Sequence, residues 1–280
     1  MKSLPRLLAL SLLTVAPTIA QTTVTDNFSS GSNWTLAAIQ QGTCSLTISG
    51  GQVNYISTNS SGNAVRVLIW NAATYSYLTD WEAQVDVHAR LVSLSSPNET
   101  INIDPTHQYY FYGSLVAFDT GDTGPATDSM SADIMRPGGG TQAFQSTYSF
   151  GGIRFEDPSN GSGIANNTTD AALRLAFNST TKVLTTYYDA DGGVGGYNWT
   201  AVTSIYIAGA ENWSMTSGST FTLGLEAVSG INAYGAGEVY FDNFSVTGIA
   251  AIPEPSTYAM LFGLAALGVA AYRRRRRQVG

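Results

Sequence analysis

Two loops place aspartates beside glycines, an arrangement in which carboxylate oxygens could surround a calcium ion. They are Asp119-Thr120-Gly121-Asp122 and Asp189-Ala190-Asp191-Gly192-Gly193, and the second offers the better candidate ligands in Asp189 and Asp191. An EF-hand is excluded, because Thr200 stands where the twelfth-position glutamate would be. A hairpin turn explains the same residues without a metal, since aspartate and glycine both favour turns. No other cofactor is predicted.

Acid–base catalysis of glycan cleavage would need two carboxylates a few ångströms apart, one with its pKa raised by burial. The nearest pair is Glu82 and Asp86, which lie about 13 Å apart along a predicted strand, too far for that chemistry. A thiol nucleophile at Cys44 would need a histidine partner, and the chain has only His88 and His107. A small buried residue is the simpler interpretation of Cys44. The sequence therefore predicts that the protein is not an enzyme.

Carbohydrate binding would need exposed aromatic rings that stack on the apolar faces of sugars. Seven aromatic residues lie in or beside predicted loops and could act in this way. In a β-sandwich such rings more often belong to the core, because each buries a large apolar area. The sequence leaves both interpretations open for each residue. The seven are Trp70, Tyr75, Tyr77, Trp81, Tyr197, Trp199 and Trp213.

The charge of the chain is distributed unevenly. Of the 13 basic residues, two lie near the N-terminus and five form a C-terminal cluster, so residues 21–251 carry only 6. The same stretch, called the body below, holds 19 acidic residues and a formal charge of −13. Such a charge repels nucleic acid, so the body is not predicted to bind it. The single cysteine allows no intramolecular disulfide, and the body must depend on its hydrophobic core.

Segments rich in β-branched and aromatic residues recur along the body, and most are bounded by Gly, Asn, Ser or Asp. This composition predicts β-strands, and no long segment has the 3.6-residue apolar period of a helix. The predicted fold class is therefore all-β. The predicted strands are Ser45–Ile48, Gln52–Ser57, Ala64–Trp70, Glu82–Leu91, Gln108–Phe118, Gln145–Phe155, Ala171–Phe177, Val183–Asp189, Val202–Ala208, Thr220–Val228 and Glu238–Val246.

Alternation within these segments predicts sheets with one face in a core and the other in water. In residues 81–87 the odd positions are apolar and the even positions are polar. The last segment changes phase at Asp242-Asn243, as a β-bulge would cause. Long strands, glycine-rich turns and about 230 residues favour a two-sheet antiparallel sandwich. No repeat or linker divides residues 21–251, which are predicted to form one domain.

The N-terminus has the order of a signal peptide. Two basic residues precede an apolar stretch from Leu7 to Val15, and the small residues Thr18 and Ala20 follow. Signal peptidase reads small residues at these two positions, so we expect cleavage before Gln21. Residues 1–20 are therefore predicted to be removed during export.

The C-terminal segment, residues 252–280, combines a polar motif, an apolar run and a basic cluster. The run extends from Tyr258 to Tyr272, which is short for a spanning helix of about 20 residues. It is predicted to form a short transmembrane helix that holds the chain transiently; a permanent anchor is the alternative. An arginine at the bilayer centre costs about 2.5–3.5 kcal/mol, so the cluster should remain cytoplasmic. Its members are Arg273, Arg274, Arg275, Arg276 and Arg277.

The motif itself is Pro253-Glu254-Pro255, whose prolines keep the chain extended and accessible to a protease outside the membrane. Motif, apolar run and arginine cluster together resemble the PEP-CTERM sorting signal of Gram-negative bacteria. The resemblance implies export across the inner membrane and transient anchoring there. It also implies that an exosortase cuts near Pro253, Glu254 and Pro255 and releases the protein toward the cell surface or exopolysaccharide.

The body resembles the concanavalin-A-like jelly-roll domains in its opening, one hairpin and its closing strand. The resemblance implies two curved antiparallel sheets with adjacent first and last strands, and it often implies sugar binding. The similar stretches are Thr25–Ser29, Ser32–Trp34, Ile48–Val53, Leu173–Asn178, Lys182–Asp189 and Val239–Val246.

Three functions remain open at this point. The favoured one is an exported surface or extracellular-matrix protein, held in exopolysaccharide or biofilm as a structural or adhesive component. The second is a lectin-like carbohydrate-binding module, and the third is an extracellular glycan hydrolase. The expected partners are signal peptidase, an exosortase-type membrane protease and extracellular polysaccharide, with transient membrane contact.

Overall fold

The computed structural model describes residues 21–58, 64–89, 110–120, 128–137, 143–150, 153–157, 169–208, 213, 215–230 and 233–248. These residues form β-strands, turns and loops, and none of them belongs to a helix long and apolar enough to cross a membrane. The predicted all-β fold is confirmed. The predicted signal peptide, the C-terminal helix, the Pro-Glu-Pro motif and the arginine cluster lie outside the described residues.

Every strand pairing in the described part of the chain is antiparallel. The strands are β1 Thr22–Asp26, β2 Trp34–Gln41, β3 Cys44–Ser49, β4 Gln52–Ser57, β5 Ala64–Trp70, β6 Tyr75–Ser76, β7 Trp81–Ala89, β8 Tyr110–Asp119, β9 Ser129–Pro137, β10 Ala143–Phe150, β11 Ile153–Asp157, β12 Asp170–Asn178, β13 Val183–Asp189, β14 Thr200–Tyr206, β15 Thr220–Ser229 and β16 Val239–Gly248.

In the ranges given above, the strands form two sheets of eight strands each. Sheet A has the order β14-β13-β12-β7-β16-β4-β3, with β1 also paired to β16. Sheet B has the order β11-β10-β9-β8-β15-β5-β2, with β6 also paired to β15. The first and last strands are therefore neighbours, and Thr22 lies opposite Gly248. The predicted two-sheet antiparallel sandwich is confirmed.

The core lies between the sheets and is formed by the inward half of each alternating strand. In β7 the odd positions from Trp81 to Ala89 are buried and the even positions are partly exposed, as the alternation predicted. Trp81 contacts Phe221 of sheet B edge-to-face at 5.0 Å between ring centroids. Phe144 of sheet B stacks on Tyr188 of sheet A at 4.1 Å. Rings from both sheets thus close the sandwich by burying large apolar areas.

The predicted bulge in the last strand is present. The pairing of β16 with β7 shifts register between Asp242 and Ser245, and Asn243 has a φ of 49°. Asparagine tolerates this left-handed conformation better than most residues. The bulge lets the apolar side chains Phe241 and Phe244 both enter the core although they are three positions apart.

Sequence patterns misplaced several strands. The single strand predicted at Gln145–Phe155 is wrong: Phe150 pairs with Ile153, so this segment is the hairpin β10–β11 with Gly151-Gly152 between its strands. Strands β1, β2, β6 and β9 were not predicted. Their residues are polar or mixed, as in Thr-Thr-Val-Thr-Asp of β1, and pairing with an established neighbour rather than local composition makes them strands.

A buried carboxylate fixes the start of the body. Asp26, only 7% exposed, accepts hydrogen bonds from the Phe28 backbone N–H at 2.7 Å, Asn33 Nδ2 at 3.1 Å and Trp34 Nε1 at 3.1 Å. The rings of Phe28 and Trp34 are themselves buried. The opening residues that resemble jelly-roll domains therefore form a hydrogen-bonded turn, which positions the rings of Phe28 and Trp34 in the core.

Candidate functional site

Five of the seven candidate sugar-binding rings belong to the core. The other two, Tyr197 and Trp199, lie in the loop between β13 and β14, where Tyr197 is 40% exposed and Trp199 is partly exposed. Each of the other four tryptophans in the chain is buried. The core interpretation therefore holds for Trp70, Tyr75, Tyr77, Trp81 and Trp213.

An open groove of about 570 Å³ crosses the outer face of sheet A, the face turned away from sheet B. The start of β7, the end of β12 and the middle of β13 form it, since these three strands are neighbours in the sheet. This volume falls within the range typical of ligand sites, roughly 300–1,000 Å³. The polar and aromatic side chains that border it include Gln21, Asp80, Glu82, Asn178, Thr185 and Tyr187.

Beside the groove, one guanidinium group and three aromatic rings form a continuous series of contacts, called the aromatic stack below. Its members, in order of contact, are Tyr187, Arg174, Trp199 and Tyr197. The Arg174 guanidinium lies 5.3 Å from the ring centroid of Tyr187 and 5.5 Å from that of Trp199. Trp199 stacks on Tyr197 at 5.0 Å with an interplanar angle of 14°. Glu82 forms an ion pair with Arg174 and so holds the guanidinium in place. Tyr187, which borders the groove, is thereby linked to the two loop rings.

The loop between β13 and β14, which carries Tyr197 and Trp199, is fixed at both ends by hydrogen bonds. Asp189, 3% exposed, accepts the backbone N–H groups of Asp191 at 3.1 Å and Asn198 at 2.6 Å. The Tyr197 hydroxyl donates to Asp86 Oδ1 at 3.0 Å. At Gly193 a Cβ would lie 2.6 Å from Tyr197 Cε1, and φ is 78°, so only glycine fits against the ring.

Asp86 sits beneath this loop among other polar groups of the outer face. It accepts a second hydrogen bond from Asn243 Nδ2 at 2.9 Å and lies opposite Asp242 in the register. Burial raises the pKa of Asp86 above its ordinary value, and the neighbouring carboxylates add to this effect. Burial and the Asp86 carboxylate raise the pKa of Tyr197 to about 12, so its hydroxyl remains a donor at neutral pH.

The predicted calcium ligands belong to the same loop. Both carboxylate oxygens of Asp189 accept backbone N–H groups, which is the turn chemistry that explains the sequence without a metal. Hydrogen bonding to Asp189 raises the pKa of Asp191, so the two carboxyl groups lie close together. In the described ranges no three His, Cys, Asp or Glu side chains are grouped as a metal site requires. Calcium at Asp189 and Asp191 stays a prediction.

One experiment separates the structural role of Asp189 from calcium binding. In EDTA, Asp189→Ala should lower the free energy of unfolding by about 1–3 kcal/mol, because two backbone N–H groups lose their acceptor. Asp191→Ala is the matched control and should lower it less, because this side chain is exposed and water can replace its hydrogen-bond partners. Calcium binding requires in addition that millimolar calcium raises the Tm of the unchanged protein but not of the double variant. Equal melting curves with and without calcium reject the metal.

The other candidate chemical groups are used elsewhere in the structure. Glu82 and Asp86 share the outer face of β7 as predicted, but Glu82 pairs with Arg174 and Asp86 with Tyr197. Burial raises the pKa of the Cys44 thiol, which disfavours the nucleophilic thiolate. His88 contacts Asp170 through Nδ1 at 2.7 Å and lies on β7, three strands across sheet A from Cys44. His107 and the Asp122 end of the first candidate calcium loop lie outside the described residues.

Residues 251–277 match the family described as the PEP-CTERM protein-sorting motif. The chain carries a PEP-CTERM sorting motif. Such a motif indicates export, transient membrane attachment and exosortase processing of the C-terminus. None of the curated protein sequences matches the chain.

Solved structures resemble the body in fold at low sequence identity. The CBM2 module of the evolved Dit protein of Lactobacillus casei BL23 phage J-1 is 11% identical, with a TM-score of 0.53 over 84% of this chain and 99% of that one. Lectin I of Ulex europaeus is 9% identical, with a TM-score of 0.49 over 81% and 98% of the two chains. The acidic lectin of winged bean is 10% identical, with a TM-score of 0.48 over 83% and 100%. The likeness to the phage module is one of fold alone.

Sequence reasoning missed Arg174 and Tyr187, which connect the groove to the loop rings. Both lie on strands predicted correctly in type, at outward positions that local patterning treats as solvent-exposed. The signal that could have found them is the rarity of basic residues, since Arg174 is one of only 6 Lys and Arg residues in residues 21–251. Its strand also pairs with β13, which contains Tyr187 and Tyr188.

Proposed function

We propose that this protein is an exported component of the cell surface or extracellular matrix, associated with exopolysaccharide or biofilm as a structural or adhesive component. The observation that carries the proposal is the PEP-CTERM motif at residues 251–277. Residues 1–20 act as the signal peptide, and residues 21–251 are the exported sandwich. An exosortase-type protease cuts near the motif in residues 252–280 and so releases the protein. The arginine cluster stays cytoplasmic until that cut.

The body suits a hydrated polysaccharide environment. Its outer face on sheet A presents a groove bordered by amide, hydroxyl, carboxylate and aromatic groups, the combination that hydrogen-bonds and stacks on sugars. Its formal charge of −13 opposes binding to nucleic acid and favours solubility outside the cell. We assign the groove no catalytic activity, because each of its two carboxylates is engaged by a neighbouring residue, Glu82 by Arg174 and Asp80 by Ser179.

Association with polysaccharide is tested by co-sedimentation. The processed protein, isolated from its producing cells, should pellet with the purified exopolysaccharide of those cells and stay in the supernatant without it. Bovine serum albumin, also acidic, serves as the control for trapping in the gel. Equal recovery of both proteins in the pellet would contradict a specific association.

A lectin-like module with one defined ligand is the second candidate, and the groove beside the aromatic stack favours it. A glycan array distinguishes the two: a structural component binds the host polymer only, whereas a lectin-like module selects one class of short glycan. Incubation with the host polysaccharide should release no reducing ends; their release would replace both candidates by a hydrolase.

A further inference from the structure

The groove on sheet A combines features that together select one class of ligand, and this inference rests on the proposed association with polysaccharide. We propose that the groove binds an uncharged saccharide chain, with Tyr187 as the ring on which a sugar face stacks. The groove is open to solvent, as access for a saccharide requires. Its outward position on sheet A leaves the sandwich core undisturbed when a chain enters.

The Tyr187 ring is restrained by its neighbours before any ligand binds. Tyr187 borders the groove, and Arg174 lies against its ring at 5.3 Å while forming an ion pair with Glu82. The same guanidinium lies against Trp199, whose stacking on Tyr197 is fixed by the bond to Asp86. A ring restrained in this way loses little conformational entropy on binding, which favours affinity.

Polar groups along the groove supply hydrogen bonds for sugar hydroxyls. Gln21 and Asn178 carry side-chain amides, and Thr185 carries a hydroxyl. Asp80 adds a carboxylate, an acceptor that makes stronger hydrogen bonds than a neutral oxygen. Because donors and acceptors both line the groove, either kind of hydroxyl hydrogen bond can form.

Charge excludes acidic chains from the same groove. The lining contains the carboxylates of Asp80 and Glu82 and no basic residue. Hydrogen bonds from the Ser179 hydroxyl and backbone N–H lower the pKa of Asp80, so it stays ionised in mildly acid solution. Nearby, Arg174 is paired with Glu82, and Lys182 Nζ donates to the Tyr77 carbonyl at 2.8 Å. A uronate would meet the two carboxylates of the lining, while both nearby cations already have partners.

Calorimetric titration of the processed protein tests the inference with four probes: cellohexaose, laminarihexaose and mannohexaose as neutral chains, and hexagalacturonate as an acidic one. At least one neutral chain should bind, and hexagalacturonate should not. Tyr187→Ala should raise the Kd for that neutral chain about tenfold, as the loss of one aromatic contact implies. Because the ligand is uncharged, moving from 50 to about 500 mM salt should leave the affinity unchanged.

Tyr240→Ala is the matched control, since Tyr240 lies on the same outer face but three strands away from Tyr187, stacked on His88. It should bind the chain as the unchanged protein does, and melting curves of both variants establish that they are folded. Binding of no neutral chain, preferential binding of hexagalacturonate, or equal loss in the two variants overturns the groove proposal. If the protein still pellets with its exopolysaccharide in that case, the proposed function survives; if it does not, both fall.

Discussion

Replacing Pro253, Glu254 and Pro255 together by alanine should convert most of the released protein into a longer form in the membrane fraction. The PEP-CTERM match covers these residues, and without them an exosortase-type protease would lose the motif that it recognises. Immunoblots of membrane, surface and culture fractions measure the size and location of each form. At least a tenfold fall in the released form is expected.

Alanine at Ser256 and Thr257, which directly follow the motif, is the matched control and should leave release unchanged. A second arm deletes the exosortase-type gene of the producing cell and should reproduce the membrane-bound form with the unchanged protein. Release of a normal-sized product from the triple variant would show that the Pro-Glu-Pro residues do not direct processing, whatever the role of the apolar run.

Asp26→Ala should cause a large loss of stability in the body. The carboxylate is 7% exposed and accepts three hydrogen bonds, one of them from the indole N–H of Trp34. Removing it leaves buried donors without an acceptor, which costs about 3 kcal/mol in all. In a domain of this size each kcal/mol shifts the Tm by about 2–4 °C, so the Tm should fall by about 6–12 °C. Urea unfolding followed by tryptophan fluorescence gives the free energy directly.

The neighbouring Asn27→Ala is the control, because the Asn27 side chain is exposed and caps only the Ser29 backbone N–H at 3.2 Å. It should change the free energy of unfolding by less than about 1 kcal/mol. Asp26→Asn keeps the shape but points an amide N–H at one of the donors, so its effect should lie between those of the two alanine variants. A loss below about 1 kcal/mol in Asp26→Ala would mean that the turn is held by its aromatic rings alone.

The pairing of β1 with β16 brings the first and last described strands together. Thr22 lies opposite Gly248, so the start of β1 and the end of β16 lie at the same end of sheet A. The groove opens there as well, because Gln21 borders it and Gly248 pairs with Trp81.

The sequence alone determined those features that depend only on residues adjacent in the chain. The sorting motif is one such feature, because its residues are adjacent in the sequence and its recognition needs no partner from elsewhere in the chain. The alternation of β7 and the bulge at Asp242-Asn243 are others, since side-chain direction in a strand follows from its two-residue period. These local rules sufficed for the all-β class and for the two-sheet sandwich.

The site depended on a pairing that no local pattern specifies. Arg174 and Tyr187 lie opposite each other in the hairpin β12–β13. Glu82 comes from β7, far away in the chain, and reaches Arg174 because β7 and β12 are neighbours in sheet A. An alternating strand fits many partners equally well, so its neighbours are chosen by the packing of the whole core. The same packing buried Trp70 and Trp81 while leaving Trp199 at the surface. Tertiary structure alone decided which rings can meet a ligand, because burial depends on what lies across the sandwich.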